Sequence, residues 1–96
     1  MVIGTCKVVL RIDGAFSLKD KRRTLKSLLE RIKSRFNVSA AEIDKNDVWN
    51  SAVIGIACVS NDAGYSDGLI QIIINFLESD PRIEVLNCTI ETIHLG

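Results

Sequence analysis

Ser17–Asp44 reads SLKDKRRTLKSLLERIKSRFNVSAAEID, and two hydrophobic periods meet within it. Leu18, Leu25, Leu28, Leu29, Ile32 and Phe36 fall within about 100° of one another on a helical wheel, the stripe of a helix with one buried face. From Val38 to Ile43 the pattern shortens to that of a strand. Ser17 stands where an N-cap belongs, with Asp20 three residues on as the acidic member of a capping box. Asn37 is placed to act as a left-handed C-cap.

Upstream of this stretch, Val2, Cys6, Val8, Leu10 and Ile12 alternate with the mixed set Ile3, Thr5, Lys7, Val9 and Arg11. That period of two is a strand with one buried face, ended by Asp13-Gly14. Downstream, Lys45-Asn46-Asp47 is turn chemistry and places Val48 to Asn50 in or beside a hairpin loop. Ala52 to Ser60 is apolar on both alternations and suits a central strand. A second helix is expected from about Tyr65 to Ser79, stopped by Asp80-Pro81, because proline disfavours helical geometry in its predecessor. Ile83 to Ile93 supplies a last strand.

The order strand, helix, strand, strand, helix, strand predicts one α+β domain over residues 1–96, a ferredoxin-like βαββαβ sandwich. Both helices would cover one face of a four-stranded antiparallel sheet, with the strands from Val38 and Ile83 outermost. The other face would lie open.

Composition sets the outer limits. With 96 residues and a 47% hydrophobic fraction, the chain is long enough for one core and too apolar to stay disordered. No apolar run approaches a membrane span, and no charged-then-apolar leader is visible. Cys6, Cys58 and Cys88 are odd in number and form no CxxC pair, so they read as reduced core thiols of a cytoplasmic protein.

Twelve Lys/Arg cancel twelve Asp/Glu, a balance that argues against a nucleic-acid partner until it is divided along the chain. Residues 1–35 hold ten bases against three acids, a net of +7; residues 36–96 hold two bases against nine acids, a net of −7. Lys19, Arg22, Arg23, Lys26 and Lys33 cluster within about 100° on one flank of the first helix. Arg31 and Arg35 take the other flank, and Lys21 points partly toward the core, where its amine can snorkel. This flank suits contact with phosphates. The competing expectation is a solvated face neutralised by the acidic half of the same fold.

Other features rank below this one. Lys7 and Arg11 lie on the open sheet face, without the aromatics that stack bases. Trp49 stands alone in the hairpin loop. On the second helix, Tyr65, Leu69, Ile72 and Phe76 form one apolar stripe and Ile70, Ile73, Ile74 and Leu77 another. The second stripe is the expected excess, a partner surface for a homodimer with Trp49 beside it. Phe36, Tyr65 and Phe76 are expected to face the core. His94 is the only histidine, and no nucleophile, phosphate-loop or metal-ligand constellation appears, so neither an enzyme, a cofactor, a metal nor a small-molecule substrate is expected.

Two further segments join the opening stretch in a resemblance. MVIGTCKVVLRIDGAFSLK, at the start, and DVWNSAVIGIACVSND, from Asp47, flank SLKDKRRTLKSLLERIKSRFNVSAAEID in order. Together they resemble the YlxP-like family of small bacterial proteins, the domain of unknown function numbered 503. The resemblance covers essentially the whole chain. It implies the ferredoxin-like fold, no established activity, and a gene context among translation initiation and ribosome-binding factors. Lys19, Lys21, Arg22 and Arg23 match the family's motif, which does not say what they bind. The expectation is therefore a non-enzymatic factor that associates with RNA or the ribosome through its basic first helix. The alternative is a homodimeric regulatory module built on the second helix.

Overall fold

The computed structural model describes residues 1–96. Along the chain come β1 (Val2–Ile12), α1 (Leu18–Arg35), β2 (Ser39–Asp44), β3 (Ser51–Ser60), α2 (Ala63–Glu78) and β4 (Ile83–His94). The strands form one antiparallel sheet in the order β2-β3-β1-β4, so the fold is the α+β ferredoxin-like one that the periodicity predicts.

The register explains which side chains reach the core. Cys6 lies opposite Ile56, Val8 opposite Ile54 and Leu10 opposite Ala52, and all six are buried beneath the helices. Leu25, Leu28 and Ile32 of α1 and Ile70, Ile73, Ile74 and Leu77 of α2 close the same cluster. Burying one such aliphatic side chain contributes roughly 1.5–3 kcal/mol. Gly4 lets α2 come close to β1: a Cβ there would meet the Ser66 Cβ at 2.9 Å.

The helix ends follow local chemistry. The Asp20 amide donates to Ser17 Oγ at 3.1 Å, and the Asp20 carboxylate accepts from the Phe16 amide at 3.1 Å. Asp62 caps α2 by accepting from the Tyr65 amide at 3.2 Å, which starts that helix earlier than its apolar stripe suggests. Asn37 does not adopt the left-handed cap. The chain instead leaves α1 through an extended Phe36 (φ −128), whose ring meets Phe76 edge-on at 5.7 Å.

Three expectations about burial are corrected. Ile70, Ile73, Ile74 and Leu77 are core residues and offer no partner surface, because α2 lies across β1 and β4 and needs a wide apolar face to seal them. Tyr65 and Ile72 are the exposed apolar residues of that helix. Tyr65 thus faces solvent rather than the core, near the first turn of α2. Cys88 is also exposed, since it sits on an edge strand, whereas Cys6 and Cys58 are buried.

Candidate nucleic-acid interface

The basic flank of α1 stands over the β2 edge of the sheet. Lys19, Arg22, Arg23, Lys26 and Lys33 are all exposed, and none has a carboxylate within 4.0 Å. At 1.5 Å per residue the row from Lys19 to Lys33 runs about 21 Å. Arg22, Lys26 and Lys33 line a shallow groove of about 380 Å³ floored by Leu25 and Leu29, with Glu30 and Glu42 at its margin. Five unpaired cations on one helical flank form a positive ridge suited to phosphate oxygens.

The acidic half of the chain neutralises other bases. Lys21 is fully buried; its Nζ donates to the Lys45 carbonyl at 2.6 Å and pairs with Glu42 at 3.0 Å. It therefore has no access to phosphate, which corrects its place among the candidate contacts. Glu42 Oε2 is closed to solvent and receives no well-aligned hydrogen bond, so the charge of Lys21 is its chief compensation.

On the opposite flank, the Arg31 and Arg35 guanidinium groups lie 5.4 and 5.1 Å from the Phe76 ring centroid. Arg31 also approaches Asp80 at 3.9 Å. Asp80 is the centre of a second buried network. It accepts from the Arg82 side chain at 2.8 and 3.1 Å and from the Arg82 amide at 2.9 Å, while Arg82 reaches Ser27 of α1 at 3.3 Å. Arg82's side-chain hydrogen bonds hold the Asp80 carboxyl below the usual aspartate range, against a desolvation that pushes it up.

The open sheet face divides the two second-rank bases. Arg11 pairs with Asp13 at 3.1 Å and with Glu84, and these contacts, the Asp13 hydrogen bond foremost, raise its pKa. Two carboxylates thus satisfy Arg11, which makes it a poor phosphate contact. Lys7 is exposed and without an ion pair, beside a groove of about 430 Å³ whose floor includes Gly55 and Ala57. Trp49 is half-exposed in the β2–β3 hairpin, as the sequence suggested. Burial pushes the Cys6 thiol up to about 11, with nearby Cys88 adding to the shift, so Cys6 stays protonated at neutral pH.

Sequence patterning left two features unseen. The Asp80–Arg82–Ser27 contact needs the α2–β4 turn to fold back onto α1, and only the proximity of Asp80 to Arg82 hinted at it. That β4 is an edge is expected from the strand order; what patterning did not single out is how long that edge is and how bare of charge its outer row.

Residues 3–90 match the family model described as "Protein of unknown function (DUF503)". The chain belongs to the DUF503 family. It is 39% identical over 83 residues to the "Uncharacterized protein YlxP" of Bacillus subtilis (strain 168), covering 86% of this chain and 90% of that protein. Among solved structures, the de novo designed protein Foldit4 superposes with a TM-score of 0.53 at 18% identity, over 98% of this chain and 99% of that one. A likeness at that identity shows the fold alone. DUF503 membership agrees with the family resemblance of Ser17–Asp44, and the family description names no activity. No helix is long and apolar enough to cross a membrane.

Proposed function

We propose that this DUF503 protein is a non-enzymatic RNA-binding factor that grips phosphates with Lys19, Arg22, Arg23, Lys26 and Lys33. One observation carries the reading: these five cations are exposed on one flank and unpaired, although the chain holds enough acid to neutralise them. Charge left uncompensated in this way favours an anionic partner, and an extended ridge fits a polyanion better than a single small anion. Lys7 is a second contact, on a different face. Structured ribosomal RNA is the ligand to try first, in keeping with the translation context implied by the family resemblance.

Recognition by such a ridge is electrostatic and weakly sequence-specific, because phosphate contacts position without reading bases. Affinity falls with salt, by roughly 0.7–0.9 log units per log unit of salt for each phosphate engaged. The test is a fluorescence titration of a structured RNA at several salt concentrations. Arg22→Glu, Arg23→Glu and Lys26→Glu together are expected to abolish binding, whereas Arg22→Lys, Arg23→Lys and Lys26→Arg retain it. Unchanged affinity in the charge-reversed protein overturns the reading.

A further inference from the structure

The two edges of the sheet differ. β2 has six residues, carries Glu42 and Asp44, and is interrupted by a register shift between them. These are the devices that keep an edge from recruiting another strand. β4 has twelve residues, and its register shift lies opposite Val9/Leu10, near its start. From Asn87 to His94 it contains no proline, lysine or arginine, and one acid, Glu91.

The direction of its free backbone groups follows from the pairing. Met1 and Leu95 exchange both backbone hydrogen bonds, each at 2.8 Å. Alternation then turns Asn87, Thr89, Glu91 and Ile93 toward β1, and Cys88, Ile90, Thr92 and His94 outward. The outward row is thus a regular ladder of unpaired N–H and C=O groups. Its side chains carry no Asp, Glu, Lys or Arg, and Ile90 at its centre is 43% exposed.

We propose that β4 pairs antiparallel with β4 of a second copy of this chain, about a twofold axis at Ile90. In this register Ile90 meets its own counterpart and Cys88 lies opposite Thr92, giving about six new backbone hydrogen bonds. Glu91 lies opposite Thr89, so no acid faces an acid, which a same-strand pairing must satisfy. The charge distribution favours a second copy as the occupant. Each chain is net neutral, and its basic flank overhangs β2, the edge farthest from the join. At about 4.8 Å per strand the two α1 ridges stand roughly 30 Å apart on one face of an eight-stranded sheet. The pairing does not depend on the RNA reading.

Light scattering on the full chain between about 10 and 200 µM tests it, a range suited to a modest interface. The expected mass approaches twice that of one chain. Ile90→Lys returns it to one chain with unchanged circular dichroism, while Val59→Lys, on the open face of β3, leaves it doubled. Register is read with a Cys88→Ser, Ile90→Cys protein. Two equivalents of copper(II) phenanthroline take one electron each from the paired thiols, the two protons pass to water, and a disulfide links the chains across the axis. Wild-type Cys88, about 13 Å from its counterpart in this register, does not link. A single-chain mass throughout the range overturns the proposal. So does a doubled mass in folded Ile90→Lys protein, or linking of wild-type Cys88.

Discussion

α1 and α2 lie side by side on one sheet and spend their surfaces differently. α1 commits a narrow stripe, Leu25, Leu28 and Ile32, to the core and keeps a full flank of cations in water. α2 commits Ile70, Ile73, Ile74 and Leu77, and retains only Tyr65 and Ile72 as exposed large apolar groups. An apolar surplus on a helix is therefore not by itself a docking surface. A helix laid across two strands needs the wider stripe, and one that overhangs the β2 edge can keep a flank of charges in water.

The largest effect is expected in α2. Ile70→Asp or Ile74→Asp places an unpaired carboxylate in the core and is expected to unfold the chain, rather than dissociate an oligomer. Loss of the far-UV dichroism transition, with light scattering for mass, distinguishes the two outcomes. An Ile70→Asp protein that stays folded would return this stripe to the surface.

Next in size is the cation that α1 does bury. Lys21→Met leaves Glu42 without its counter-charge and is expected to cost about 3 kcal/mol in urea denaturation. Adding Glu42→Leu should recover much of that loss, because the orphaned charge, rather than the missing attraction, sets the cost.

Asp80 joins the two helices, and its contribution depends on pH. Asp80→Asn is expected to lose about 2 kcal/mol at pH 7, the scale of hydrogen bonds to a charged group. The folded pKa lies below the unfolded value near 3.9, so the wild-type advantage is complete above about pH 5. It declines as pH falls through the folded value, and denaturation curves of the two proteins should converge in acid. A gap that persists unchanged in acid would assign the effect to shape rather than charge.

The smallest effect belongs to the free flank. Lys33→Ala is expected to leave the unfolding midpoint within about half a kcal/mol of wild type, as for surface changes generally. Its signature is in binding, where the salt slope drops by about one. Equal slopes would remove Lys33 from the ridge.

Much of this was legible in the residues. The alternation of β1, the wheel of α1 and the Asp80-Pro81 stop specify element order, because these patterns reflect local geometry with periods of 2 and 3.6. The basic flank was legible for the same reason: angle along a helix depends only on spacing. What spacing did not decide is which neighbour each face meets. The wheel turns Lys21 only partly toward the core, where its amine could snorkel to water, yet it is sealed against Glu42 while Lys33 is free. Arg31 and Arg35 look as available as Lys26, yet they lie over Phe76. The second stripe of α2 reads as the surplus one by spacing, and only the sheet beneath shows that it is the buried one. Residue spacing alone therefore specifies the order of elements and the positive charge of α1. Tertiary structure decided which charges are paired, which apolar side chains are surface and which sheet edge is bare. Those outcomes depend on contacts between residues far apart in the chain, where solvent exclusion is set by packing and not by period.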